Sequence, residues 1–220
     1  WIQWPSIHTG KTYKEHGIFR LGDIVNHNYD QFYEVIERMG YSVGAVSPMN
    51  CSNNLNNPDY FIPDPWTDTK SSGGLIPEYL HKSLKQAVND NSKGSIELKS
   101  YAMLFYCILR TFKFSDLTSL PFRAIKALRY GWKKAIFLDE VLHKIHLSLL
   151  LKNNTDFSSI FFNAGAHIQH HYFHSSKVSS SIIQNPDWYI NKDDDPLFEV
   201  LKSYDQIIGD YLKLKNRGYD

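Results

Sequence analysis

The stretch NAGAHIQHHYFH, residues 163 to 174, places four histidines, His167, His170, His171 and His174, within eight positions. Neutral imidazole is a frequent zinc ligand, and zinc takes three or four donors in a tetrahedron. The same ring also moves protons near neutral pH. A cluster of this kind therefore reads as a metal site, a proton-transfer site, or a set of solvated polar groups. If the segment is helical, three- and four-residue spacings put several rings on one face. His167 and His171, four residues apart, form the best pair for a shared ligand set. One tetrahedral site cannot use all four rings, so His170 and His174 are expected to turn away or to act as supporting donors. Asn163 opens the stretch. Its amide oxygen can ligate a metal, but without the charge of a carboxylate it holds zinc less tightly.

Positioning these residues requires strands and helices in a particular order. The run FSSIFF, directly before Asn163, reads as a buried strand. Open parallel sheets place ligands at the carboxyl ends of such strands. In DQFYEVIERMGY, residues Phe32, Val35, Ile36 and Met39 are spaced for one helix face, and Gly40 stops the helix. YSVGAVS follows as a second short buried strand. Helix-to-strand units at 41–47 and 157–163 predict an α/β fold with a three-layer core and a mostly parallel sheet. Residues 50 to 75, rich in Asn, Pro, Ser and Gly, read as a long surface loop, and its YFIPDPW segment offers aromatics and Asp64 to a substrate groove. Helical patterns near 77–90, 98–113 and 119–152, the last interrupted around Gly131, make 77–152 a helical insertion within one domain spanning 1–220. Residues 1 to 10 read as a short helix closed by Gly10, and the last helix begins at Pro196 behind three aspartates.

Composition narrows the function classes. With 24 basic and 23 acidic side chains the net charge is +1, so no global field points to nucleic acid or to a basic partner. The aromatic share of 15% is high and reads first as core and groove material. No window is long and apolar enough for a membrane span. Cys51 and Cys107 have neither metal-ligand spacing nor a disulfide framework. Two unpaired thiols and no leader pattern make the cytoplasm the expected compartment. Oligomeric state leaves no trace in the sequence.

A second stretch, SIHTGKTYKEHGI, resembles the signature of the alkaline phosphatase superfamily, in particular its sulfatase and type I phosphodiesterase/nucleotide pyrophosphatase branches. Ser6, Thr9 and Gly10 match Ser-x-x-Thr-Gly, and His16, Gly17 and Ile18 match the His-Gly-aliphatic element that follows five residues later. Gly40-Tyr41 and SVGAV match the next helix-to-strand unit. Ser47-Pro48-Met49-Asn50 stands where sulfatases have Gly-Lys-Trp-His, which leaves Asn50 at the histidine's place. FFNAGAHIQHH is similar to the phosphodiesterase element Asp-x-x-Gly-His, with Asn163 for the aspartate and His167 for the histidine. SYDQIIGDYL, with Asp205, Ile208 and Gly209, is similar to a later helix of that branch.

The resemblance implies a fold, a chemistry and a set of site residues. It implies hydrolysis of a small phosphate ester or phosphodiester, assisted by two divalent ions, zinc by preference. His167, Asn163 and His171 are the candidate metal ligands, and Asn50 and Asp64 the candidate substrate contacts. The family nucleophile lies six residues before the Ser6 position, just before Trp1, so no catalytic residue is assigned within the chain. The sequence then reads as a fragment of a longer enzyme, and His167 is expected to face the start of the first helix near Trp1. Two alternatives share the fold. One is a non-catalytic member, for which Asn50 and Asn163 are the motivating substitutions. The other is a transferase acting on glycan- or lipid-linked phosphate. His16 is expected to fix a tight loop, His8 to pack, His143 and His146 to sit in a helical core, and Asp205 to hold local geometry.

Overall fold

A computed structural model describes residues 2–89, 97–180, 182–191 and 193–219. The fold mixes helices with a small parallel sheet and divides into two compact units. The first comprises Trp1–Thr111 and Ser148–Phe161, the second Phe112–Leu147 and Phe162–Asp220.

In the first unit, β1 (Val43–Val46) is the central strand, flanked in parallel by β2 (Tyr60–Ile62) and β3 (Phe157–Ile160). Gly44 is level with Tyr60 on one side and with Ser158 on the other. The small residues of β1 are required by their neighbours. A Cβ on Gly44 would sit 2.3 Å from Cζ of the Tyr60 ring, which crosses the strand at that point. Two tyrosines then hold β3. Tyr60 Oη lies 2.6 Å from Ser158 Oγ, and Tyr33 Oη lies 2.8 Å from Ser159 Oγ. Successive strand side chains point to opposite faces, so these bonds clasp β3 from both sides. At the start of the strands, Ser42 N donates to Asp156 Oδ2 and Asp156 N donates to Ser42 Oγ, which fixes the register.

The sheet packs against α3 (Phe32–Arg38), whose Tyr33 joins Val43, Ala45, Cys51, Leu55 and Phe61 in a buried cluster. Gln31 caps α3. Its backbone N–H donates to Glu34, and its side-chain amide reaches Ser52. Ahead of α3 come α1 (Gln3–Thr9), closed by Gly10 at φ 66°, and α2 (Tyr13–His16), closed by Gly17 in the same left-handed conformation. Beyond β2, α4 (Leu75–Asn89) and α5 (Leu98–Thr111) pair and bury Leu80, Leu84 and Cys107. Both cysteines are free and buried.

Residues 50 to 75 correct the expectation of a surface loop. Asn50, Cys51, Ser52, Asn53 and Leu55 are buried, and Tyr60–Ile62 form a fully buried strand. The polar residues there are used inward, on backbone groups that would otherwise be buried without partners.

The second unit contains α6 (Phe114–Arg129), most of α7 (Gly131–Asn153), α8 (Ala164–Tyr172) and α9 (Pro196–Leu212). The pattern at 119–152 thus resolves into two helices meeting at Tyr130, and segment 77–152 is divided between the two units. Trp132, Ile136, Ala164, Ile168, Leu197 and Val200 form the core of the second unit. Asp195 caps α9 by accepting from Phe198 N, with Pro196 in the first turn. Among the described residues, no helix is long and apolar enough to cross a membrane.

Candidate functional site

The histidine stretch folds as α8 and the 3-10 turn that follows it. Small residues at its start, Ala164 and Gly165, let the helix approach α9. A Cβ on Gly165 would lie 2.9 Å from the Tyr204 ring. His167, His170, His171 and Asn163 are exposed, and His174 is half-buried. The rings of His167 and His171 lie with their centroids 4.9 Å apart, as four-residue spacing requires. Partial burial, followed by the nearby His171 and His170, lowers the His167 pKa and favours the neutral, ligating form. His174 Nδ1 is buried without a hydrogen-bond partner. Trp1, the other half of the expected His167 contact, lies outside the described residues.

These residues do not by themselves fit a zinc site. Two adjacent imidazoles supply two donors, and Asn163 offers an amide oxygen. Among the described residues, no group of three or more His, Cys, Asp or Glu is arranged to hold a metal ion. A zinc site takes at least three strong protein donors, one more than this pair of rings supplies.

The start of α8 is an ordinary seat for an anion, since helix N-termini present free N–H groups. Asp139, on α7, already fills it. Its Oδ2 accepts from Ala164 N at 2.8 Å and its Oδ1 from Asn163 N at 3.3 Å. Gly165 N donates to the Tyr204 hydroxyl, which in turn donates to Asp139 Oδ2. Burial pushes the Asp139 carboxyl up to about 6, against the lowering effect of these donors. The sequence pattern does not single out Asp139. Its one signal is an acid set among apolar helix positions, Ile136 and Val141 on either side.

The N-terminal signature closes on itself. Ser6 Oγ lies 2.9 Å from His16 Nε2, and Ile18 N donates to His16 Nδ1. With Nδ1 accepting, the ring proton sits on Nε2, and Nε2 donates to Ser6. His16 therefore holds the loop and does not act as a base toward Ser6. Burial, then the nearby His27, keeps its pKa below the usual value. His8 similarly contacts Met49 O through Nε2 at 2.9 Å.

Asn50 and Asp64 are both fully buried. Asn50 adopts φ 49°, accepts from Gly22 N at 2.8 Å and donates to Arg20 O. Asp64 accepts from the backbone N–H groups of Asn50, Trp66 and Thr67 and from the Thr67 hydroxyl. Burial raises its pKa, and those donors pull the other way. Both side chains tie loops together and present no surface to a ligand.

A cleft of about 420 Å³ in the second unit is lined by Arg123, Glu140, His143, Lys144, Asp210 and Lys213. Asp210 accepts from Lys213, His143 and Lys144. Burial alone would raise its pKa, but these bonds outweigh it and hold the carboxyl well below the usual range. Arg123 pairs with Glu140 in the same way, so the cleft reads as a structural network. His146, in the same helix as His143, is buried and bonded to the Tyr211 hydroxyl.

Comparison of the chain with protein-family models, curated proteins and solved structures finds no match.

Proposed function

We propose that the chain carries the core of a metal-dependent hydrolase of phosphate esters or phosphodiesters, with the three-layer architecture of the alkaline phosphatase superfamily. One observation carries this reading. β1 and β3 pair in parallel, side by side, although Ser42 and Asp156 at their starts are separated by 114 residues. Those are the strands of the two stretches that bear the resemblance. The Ser6–His16 bond adds support, because it joins the two halves of the N-terminal signature through side chains. In this reading His167, with His171 and Asn163, is this chain's contribution to a divalent-metal set that needs further donors.

A second reading, a non-catalytic member of the same fold, is favoured by the complete burial of Asn50 and Asp64. Two measurements separate the readings, zinc binding by this chain and turnover by the chain extended upstream. Zinc competition against a chromogenic chelator should show binding that weakens in both His167→Ala and His171→Ala, with His170→Ala close to wild type. In a chain extended upstream to carry the expected nucleophile, zinc-dependent release of nitrophenol from bis(p-nitrophenyl) phosphate, abolished by His167→Ala, supports the hydrolase. Zinc binding without turnover in that extended chain supports the second reading, and binding indifferent to both substitutions removes the metal assignment.

A further inference from the structure

We propose that α6 docks on an anionic lipid surface through its exposed apolar stripe. Phe114, Phe122, Ile125 and Leu128 are 82%, 63%, 66% and 77% exposed, while Ala127 is buried. At 100° per residue, these four exposed side chains and Pro121 fall within about a third of the helix circumference. Lone exposed apolar residues need no explanation, but four large ones on one stripe of one helix do.

The charges beside the stripe select the partner. Lys113, Lys126 and Arg129 are exposed, and Lys126 Nζ lies 4.4 Å from the centre of the Phe122 ring. The acid of the helix, Asp116, faces Lys144 at 3.6 Å, and Arg123 pairs with Glu140. What is left to solvent is an apolar strip with cations along its side, the pattern of a helix lying in the headgroup layer. Two copies meeting through this face would bring the cations Lys126 and Arg129 of both into one interface, while the acid of the helix, Asp116, is already paired with Lys144, which disfavours a homodimer here. The cleft that α6 helps to line lies at Asp116, Ser119, Leu120 and Arg123, on the other side of the helix from the stripe, so the stripe suits a flat partner better than an inserted peptide. Docking of this kind does not depend on hydrolase activity.

The test is co-sedimentation of the full chain with phosphatidylcholine vesicles, with and without phosphatidylserine. The chain should bind the phosphatidylserine vesicles and release with added salt. Ile125→Glu and Leu128→Glu should abolish binding. Lys126→Gln and Arg129→Gln should each weaken it roughly five-fold. All four positions are exposed, so thermal melts followed by circular dichroism should match wild type, which separates lost binding from lost folding. Binding unaffected by these substitutions overturns the proposal, as does binding lost instead with Phe105→Glu in α5. Absence of binding, or a concentration-dependent dimer that Ile125→Glu disrupts, overturns it as well.

Discussion

The Tyr204 hydroxyl donates to Asp139 Oδ2 at 2.8 Å, so a side chain of α9 and one of α7 together close the first turn of α8. Asp139→Ala removes an acceptor for two backbone N–H groups and strands the Tyr204 hydroxyl. The expected loss is about 2 kcal/mol, with Asp139→Asn losing less because its carbonyl oxygen still accepts. Urea denaturation of the three proteins checks the order. An unchanged midpoint in Asp139→Ala would sink the capping argument.

Acid should destabilise the fold through its buried histidines. Burial lowers His146 to about 3 and His81 to about 4, so both stay neutral in the folded chain while the unfolded chain binds protons below about 6.5. Their contribution is complete above the unfolded value and is lost as pH falls through the folded ones. Asp139 acts in the opposite sense. Raised to about 6, it adds stability below the ordinary carboxylate value and loses it as pH rises through 6. His8, His16, His143 and His167 are lowered as well, and Glu34 and Asp64 are raised alongside Asp139, so depressed histidines outnumber raised carboxyls and stability falls between neutral pH and about 4. Urea midpoints at neutral and mildly acidic pH test this, and His146→Gln should flatten part of the slope. A midpoint that rises on acidification contradicts it.

Gly44→Ala should lower stability by roughly 2–3 kcal/mol, because the new methyl group enters the Tyr60 ring and the fully buried ring has little room to retreat. Tyr60→Phe keeps the ring and loses the bond to Ser158, a change of about 1 kcal/mol. Calorimetry that ranks the two the other way would mean the ring yields more easily than its burial implies.

Asn50→Ala breaks the bonds to Gly22 and Arg20 and forces alanine to a positive φ. A cost of roughly 2–3 kcal/mol is expected. Asn50→Gly should recover part of it by accepting the backbone angle. If Asn50→Ala melted like wild type but lost affinity for a phosphate ester, the residue would belong to a binding site after all.

Elements with local signals are legible in the sequence. Gly10 ends α1, and Pro196 with Asp195 marks the start of α9, whereas the spacing of Phe32, Val35, Ile36 and Met39 finds α3 but not its buried face, since Tyr33 and Glu34 are buried and Val35 and Met39 exposed. The spacing of His167 and His171 also predicts that their rings meet. β2 is not legible, since Tyr60–Ile62 is too short to show periodicity and lies within residues that ordinarily form turns. Asn50 and Asp64 have the composition of a binding loop, and only the tertiary fold shows that their polar atoms face backbone. The role of Asp139 depends on how α7, α8 and α9 pack, and no local pattern encodes that.

The parallel register of β1 constrains the order in which the chain can assemble. Gly44 meets Tyr60 across a short connection, whereas Val43 meets Phe157 only after the helices between them have been accommodated. Closing the longer loop costs more chain entropy, and non-local pairings of this kind form slowly. The β1–β2 pair can therefore form early, with the β3 side of β1 left open as a sticky edge until Phe157–Ile160 arrives. Substitutions in β2 should accordingly slow refolding, whereas equally destabilising ones in β3 should mainly speed unfolding.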